Sequence, residues 1–351
     1  MYGDRIRRRG LPLLAAVGAL CLLLAPPALA QGTSSNPPPP PGSNDACRAR
    51  QNPTPVVLVH GTLASRQEFF FTSQRLESAG FCTFALNYGG CNDFGSCGRG
   101  PIEDSAADLR RFIERTVLPH SRTGRASIVG HSQGGLMPRY YLKNLGGRSK
   151  ITDMVSFSAS NHGTNNPLAP FGPRSGCFSC AQQHPYMSAF TRRVNAGDET
   201  LPGVDYTQIQ TRYDDVVFPY YSSFLANAAG STENGPRTKR LNGPRTTNYC
   251  LQDQYPANAS DHLDIESDPN ALSVTIDALR RPGPARRPDR PDSVCARLGG
   301  DPGGARSANG RRPPCTIRGS ARDEVLLGTP RADVICAGGG NDVVRARGDD
   351  D

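Results

Sequence analysis

The sequence predicts an α/β fold with a mostly parallel sheet and helices on both faces, and three observations carry that prediction. Short apolar runs alternate with helix-like segments from about residue 55 to residue 158. The runs tend to be apolar at every position rather than at every second one, as strands covered on both faces require. Gly130-His-Ser-Gln-Gly134 lies between one such run and a helical segment, where a sharp strand-to-helix turn belongs.

In chain order, residues 1–30 read as a secretory signal peptide. Arg5, Arg7, Arg8 and Arg9 form its basic start, residues 11–24 its apolar core, and Ala28-Leu-Ala30 a small-residue cleavage pattern. The apolar run is short of the roughly 20 residues a membrane span needs, and Pro26 and Pro27 close it. Residues 31–46 read as a linker in which Pro37 to Pro41 favour extended polyproline geometry. Residues 47–279 then carry the pattern of one globular domain.

Within that domain, Pro55-Val-Val-Leu-Val-His60 is the first buried strand. A helix is expected over 65–78, ending at Gly80, and Phe81-Cys-Thr-Phe-Ala85 is the next strand. Asp104 or Ser105 can cap a helix whose apolar positions, Leu109, Phe112, Ile113 and Val117, recur at helical spacing. Strands follow at 126–129 and 151–158, with a helix over 134–145 between them. From 161 to 204 the rhythm dissolves into Gly, Pro, Ser and two cysteines, which fits either a substrate-covering insertion or an inert loop. Tyr206-Thr-Gln-Ile-Gln-Thr211 restores a strand pattern, and residues 270–279 form a closing helix.

Residues 280–314 hold seven prolines and nine arginines and read as an extended linker. Residues 315–351 carry a nine-residue period: Glu324, Asp333, Asp342 and Asp351 are evenly spaced, as are Leu326, Ile335 and Val344. Ala337-Gly-Gly-Gly-Asn-Asp-Val-Val-Arg345 resembles the calcium-binding nonapeptide of RTX-type β-rolls, which makes Asp333 and Asp342 candidate calcium ligands in a short β-roll-like segment. The last repeat is incomplete.

The formal net charge of +8 is carried by the two ends of the chain. Four arginines against one aspartate sit in residues 1–30, and nine against three in residues 280–314, so the rest of the chain is nearly neutral. A basic footprint on the fold would mark a nucleic-acid binder; none is present. Of eleven cysteines, removal of the leader takes Cys21 and leaves ten, an even number that reads as disulfides in an oxidising compartment. The expected pairs are Cys91–Cys97 across a short Gly-containing loop, Cys47–Cys82, Cys315–Cys336, and Cys250 with Cys177 or Cys180.

The chemistry centres on Ser132, the middle of G-x-S-x-G. A serine hydroxyl becomes a nucleophile when a base removes its proton and an acid holds that base in one tautomer. In a strand–turn–helix setting of this kind the chain order is serine, acid, histidine. Of six histidines only His262 lies beyond the acid candidates; His131 and His60 read as local hydrogen-bonding residues. Asp214 and Asp215 follow the strand ending near Thr211, with Asp214 the first choice and Asp215 the second. The oxyanion donors are expected from the backbone N–H of Gln133 and of Thr62, with the Thr62 hydroxyl as a further donor.

Val57-Leu-Val-His-Gly-Thr62, the 130–134 pentapeptide, Asp214-Asp-Val-Val-Phe-Pro219 and Asp261-His-Leu263 together resemble the bacterial class 2 lipases secreted by actinobacteria, across residues 47–279. The resemblance implies an α/β-hydrolase fold, a triad of Ser132, Asp214 and His262, and hydrolysis of acylglycerols or simpler esters at a lipid–water interface. It implies no cofactor for the chemistry and no stable protein partner, and it strengthens Asp214 as the acid. A polyesterase, phospholipase or acyltransferase would keep the same triad. A calcium-dependent surface protein with an inactive hydrolase domain is the alternative outside enzymology.

Overall fold

The computed structural model describes residues 36–44, 52–166, 176–225 and 244–286, together with four short strands between 317 and 345. The chain divides into Met1–Ser34 and Ser35–Asp351, and every described residue belongs to the second unit. The expected signal peptide, the calcium candidates Asp333 and Asp342, and Cys47, Cys295 and Cys315 lie outside the described residues.

Six strands, β1 (Val56–Val59), β2 (Thr83–Leu86), β3 (Ala126–His131), β4 (Ile151–Phe157), β5 (Asp205–Gln210) and β6 (Thr246–Cys250), form one sheet in the order β2-β1-β3-β4-β5-β6. Every pairing in it is parallel. Alternate side chains explain why the strand runs are continuously apolar. Val57 and Val59 face one core, beside Phe84, Ile128 and Met154. Val56 and Leu58 face the other, beside Ala85, Val129 and Val155. The first core is closed by α2 (Ile102–Phe112) and α3 (Gln133–Asn144) through Leu109, Leu136 and Met137. The second is closed by α1 (Phe70–Ser78) and α7 (Pro269–Arg280) through Leu76, Leu272 and Val274.

The expected helix over 65–78 is a 3₁₀ turn, Arg66–Phe69, running into α1, with Ser65 accepting from the Gln67 N–H at 3.3 Å. α2 begins earlier than its expected cap at Asp104 or Ser105. Pro101 starts it, and Glu103 and Asp104 sit in the first turn, where carboxylates meet the positive end of the helix dipole. Asp268 caps α7 through the N–H groups of Asn270 and Ala271, with Pro269 at the first helical position.

Four elements have no counterpart in the sequence reading. Between residues 161 and 204 lie two short helices, α4 (Phe178–Gln183) and α5 (Ala189–Asn195). β6, at the sheet edge, is Thr-Thr-Asn-Tyr-Cys, too polar to stand out as a strand, and a four-residue helix, α6 (Leu251–Gln254), follows it.

Residues 36–44 lie against the edge strand β2 and the start of α1. The Asn44 side chain exchanges hydrogen bonds with Ala85 O (2.8 Å) and Ala85 N (2.6 Å), and Arg66 Nε donates to Pro37 O at 2.8 Å. Proline has no backbone N–H to donate, but its carbonyl still accepts, and the carbonyls of Pro37, Pro38 and Pro39 take hydrogen bonds from the Arg66 and Gln67 side chains.

The packed chain also runs past the expected boundary at 279. Ala285 is buried in the second core, its N–H donates to Thr207 Oγ1 at 2.9 Å, and its carbonyl accepts from Thr247 Oγ1 at 2.8 Å. Farther on, β7 (Ile317–Arg318) pairs in parallel with β9 (Ile335–Cys336), and β8 (Val325–Leu327) with β10 (Val343–Arg345). Each pairing joins residues two nine-residue periods apart, as in Ile317↔Ile335 and Val325↔Val343.

Cys91–Cys97 is bridged as expected. Cys177 and Cys180 bridge each other across the first turn of α4, so neither pairs with Cys250 as the sequence had implied. Three residues of separation bring two cysteines onto the same side of a helical turn, which makes the local bridge accessible. Cys82 and Cys250 are disulfide-bonded as well.

A chain ending after Arg286 is expected to keep kcat/KM on a water-soluble short-chain ester within about twofold of the full chain, since it retains the whole packed core. A chain ending at Leu279 loses the Ala285 plug and its two hydrogen bonds, at a cost of about 2 kcal/mol. Urea midpoints and ester turnover of the two truncations check this; a folded 286 variant with a large loss of turnover would show that the tail shapes the site.

Candidate active site

The site forms where strand order reverses between β1 and β3, at the carboxyl ends of the strands, the usual place for a site in an open parallel sheet. Ser132 stands between β3 and α3 with φ 53° and ψ −120°, a conformation that L-residues rarely adopt. The flanking glycines make that turn possible. A Cβ on Gly130 would lie 1.9 Å from Gly134 O, and one on Gly134 would lie 1.8 Å from Val59 O. The hydroxyl is thereby lifted above the sheet edge. Ser132 is 6% exposed and lines a cavity of about 420 Å³.

His262 lines the same cavity, from the loop between α6 and α7. Its Nδ1 lies 2.9 Å from Asp214 Oδ1 and 3.0 Å from Oδ2. Asp214 is buried in the loop after β5, and Oδ1 also accepts from the N–H groups of Val216 and Val217, at 3.0 and 2.7 Å, while Oδ2 accepts from Gln210 Nε2 at 2.9 Å. Burial pushes the Asp214 carboxyl up, but the His262 ring, the Gln210 amide and the Val217 N–H outweigh it and hold the group below the ordinary carboxylate value. Asp215 is exposed and contacts neither histidine nor serine. Ser132 Oγ makes no direct hydrogen bond to the His262 ring; the two share the cavity wall.

Two other carboxylates, Asp153 and Asp205, are register partners on β4 and β5, far along the strands from Ser132. His60 is buried and stacks on Tyr88 with ring centroids 4.3 Å apart.

Thr62, which lines the cavity, is joined to the fully buried Gln133 through their side chains. The Thr62 hydroxyl donates to Gln133 Oε1 at 2.6 Å, so its proton is committed there and the hydroxyl is not the further oxyanion donor the sequence reading had allowed. Gln183, at the end of α4, donates from Nε2 to Thr62 Oγ1 at 2.9 Å and to Gln133 Oε1 at 3.2 Å, and its own Oε1 accepts from Ser160 Oγ at 2.6 Å. This side-chain set ties together the two segments whose backbone N–H groups the sequence offers as oxyanion donors. Gln133 is the first residue of α3, so its N–H has no acceptor within the helix. Gln183 escaped notice in the sequence because α4 itself did.

A second group went unrecognised. Glu68 accepts from the Gly61 N–H at 2.8 Å through Oε2, while Oε1 lies 2.9 Å from His131 Nδ1. Ser65-x-x-Glu68 reads from sequence as a helix-start pattern, and nothing local shows the carboxylate turning inward.

Leu63, Val216, Val217 and Leu263 supply apolar walls to the cavity. Leu63 and Leu263 are 47% and 68% exposed, at the cavity's open side. Among the described residues no group of three or more His, Cys, Asp or Glu side chains is placed to hold a metal ion, and no helix is long and apolar enough to cross a membrane.

The model of the family described as lipase (class 2) matches residues 53–234, slightly more than half of the chain. Among solved structures, a Bacillus licheniformis lipase in mature form is 16% identical, with 70% of this chain and 95% of that one covered and a TM-score of 0.41. A monoacylglycerol lipase from Paleococcus ferrophilus is 18% identical, with coverage of 65% and 96% and a TM-score of 0.42. Alpha/beta hydrolase domain-containing protein 10 from mouse is 12% identical, with coverage of 63% and 86% and a TM-score of 0.41.

Proposed function

The chain belongs to the class 2 lipase family of α/β hydrolases, and from that premise we propose that it is an exported serine hydrolase that cleaves carboxylic esters of lipids through an acyl-enzyme on Ser132. The observation that carries this reading is the contact of His262 Nδ1 with the buried Asp214 carboxylate on the wall of the cavity that also holds Ser132. With Nδ1–H held by Asp214, the other ring nitrogen is the free base.

In the proposed reaction His262 Nε2 removes the Ser132 proton as Oγ attacks the ester carbonyl carbon. The carbonyl oxygen becomes an oxyanion, held by the backbone N–H groups of Gln133 and Thr62. The C–O bond to the alcohol then breaks, and the alcohol leaves with the proton carried by His262. Water, deprotonated by the same ring, attacks the acyl-serine; the acid leaves and Ser132 regains its proton. The apolar walls at Leu63, Val216, Val217 and Leu263 suit an acyl chain and favour acylglycerols or simpler esters as substrates. The bridges Cys91–Cys97 and Cys177–Cys180 support an oxidising destination.

An organophosphonate should label Ser132 stoichiometrically, read by peptide mass spectrometry. A chain-length series of p-nitrophenyl esters, run beside triacylglycerol emulsions, should give turnover on both and a maximum at an intermediate chain length. No labelling, or labelling at another serine, would sink the reading.

A further inference from the structure

We propose that Glu68 and His131 are positioning residues: as a buried carboxylate–imidazolium pair they clamp the loop after β1, the Ser132 turn and the His262 loop into one working arrangement. The inference rests on the reading of Ser132 and His262 as nucleophile and base.

The geometry fixes the protonation of the pair. His131 Nδ1 faces Glu68 Oε1 at 2.9 Å, and Nε2 faces the backbone carbonyl of His262 at 2.8 Å. Both partners are oxygen acceptors, so the ring satisfies both by carrying a proton on each nitrogen. The carboxylate is held ionised in turn by the Gly61 N–H on its second oxygen at 2.8 Å. One chain of three contacts therefore links Gly61, next to Thr62, with His131, next to Ser132, and with the backbone of His262 itself. No other described contact spans all three loops. His131 is 2% exposed, so water does not compete for these bonds.

Electrostatics agree. Burial lowers the His131 ring, but Glu68, with support from Glu266 and Asp214, overrides it and raises the ring to about 9. Burial raises Glu68, but His131, His60 and the Gly61 N–H bring it below its ordinary value. The groups facing the pair are His60 from the end of β1, lowered by burial; Tyr88 from the segment after β2, raised by burial and by Glu68; Glu266 and His262 from the loop before α7; and Asp214 from the loop after β5. Burial pushes Glu266 up to about 7. The raised histidine contributes stability that is complete below its ordinary value and is lost as pH rises through about 9. The depressed glutamate contributes stability present above its ordinary value and lost as pH falls through its lowered one. The clamp is thus closed through neutral pH and opens on the alkaline side.

A glutamine at position 68 separates positioning from charge. Its amide oxygen still accepts from Gly61, and its amide NH₂ donates to an unprotonated Nδ1, leaving Nε2–H on the His262 carbonyl. Glu68→Ala, which breaks the chain, should lower kcat on a soluble ester by about 100-fold with KM changed by less than about threefold, the size of loss that small misplacements of reacting groups produce. Glu68→Gln should recover most of that kcat. The wild-type loss of kcat as pH passes about 9 should be absent in Glu68→Gln. Imidazole ¹⁵N spectra should show His131 protonated on both nitrogens at neutral pH in the wild type and on one in Glu68→Gln. A singly protonated ring in the wild type, or wild-type kcat in a folded Glu68→Ala, overturns the proposal. Should Glu68→Ala fail to fold, the glutamine variant and the spectra still decide. Organophosphonate labelling of wild-type Ser132 tests the underlying reading separately, because the ring's protonation is read without any turnover.

Discussion

Ser132→Ala and His262→Ala are each expected to lower kcat by about 10⁵- to 10⁶-fold, and the double variant to be no worse than either alone. In the proposed reaction the two groups act as one unit: without the base the hydroxyl stays protonated, and without the hydroxyl the base has nothing to activate. What survives is binding and the oxyanion donors, which should leave roughly 10³-fold over the uncatalysed rate. Stability should move little in Ser132→Ala. The side chain makes no hydrogen bond that the fold depends on, and alanine at φ 53° is strained no more than serine is. His262→Ala should destabilise the fold somewhat, because Asp214 keeps three backbone and amide donors but loses the ring. The measurement is kcat on a p-nitrophenyl ester beside a urea midpoint. A folded Ser132→Ala retaining more than about a hundredth of wild-type turnover would remove the serine from the mechanism.

The parts of this site that the sequence revealed are those built by short-range constraints. The Ser132 turn needs glycine at 130 and 134 because backbone from the turn and from β1 occupies the space of their side chains, and that requirement leaves a fixed local signature. β1 and β3 were visible because both of their faces are covered, so β1 is apolar throughout and β3 carries Ile128 and Val129 at its centre. Asp214 could be proposed because it follows the legible strand β5, and His262 because it alone of six histidines lies beyond the acid candidates.

What escaped notice depends on partners distant in sequence. Gln183 reaches Thr62 across 121 positions, and Glu68 reaches His131 across 63. Neither residue type carries a pattern around it that tells a buried, inward-facing side chain from a solvated one. β6 was hidden for a related reason. At the edge of the sheet its Thr, Asn and Tyr side chains find partners such as Leu225 and Gln254, and its composition therefore lacks the apolar signal of a central strand. The boundary at 279 fell short because Ala285, a single small residue in an Arg/Pro-rich stretch, gives no periodicity to read.

Asp214→Asn is expected to lower kcat by about 10⁴-fold, and Asp215→Asn to change it by less than about twofold, although the two carboxylates are neighbours in sequence. Asp214 Oδ1 accepts from His262 Nδ1 and from two backbone N–H groups, and Oδ2 accepts from the Gln210 amide, so all of its surroundings are donors. An asparagine must turn its NH₂ toward one set of those donors. If the NH₂ faces His262, the ring is pushed to the tautomer that carries its proton on Nε2, and the nitrogen facing Ser132 can no longer accept. If it faces Gln210 instead, two amide donors confront each other in a buried site, and the variant loses stability. Asp215 is exposed and makes none of these contacts, so its amide should be silent. The pH dependence has a definite sign. Asp214 is depressed in the fold, so it contributes stability that is present above the ordinary carboxylate value and is lost as pH falls through its lowered one. Wild-type stability should therefore decline on acidification more steeply than that of Asp214→Asn, while Asp215→Asn should follow the wild-type curve. Urea midpoints of the three proteins across the acidic range, with kcat at neutral pH, read both effects. If Asp215→Asn alone abolished turnover, the acid would be the other carboxylate, and the contact between His262 and Asp214 would be structural.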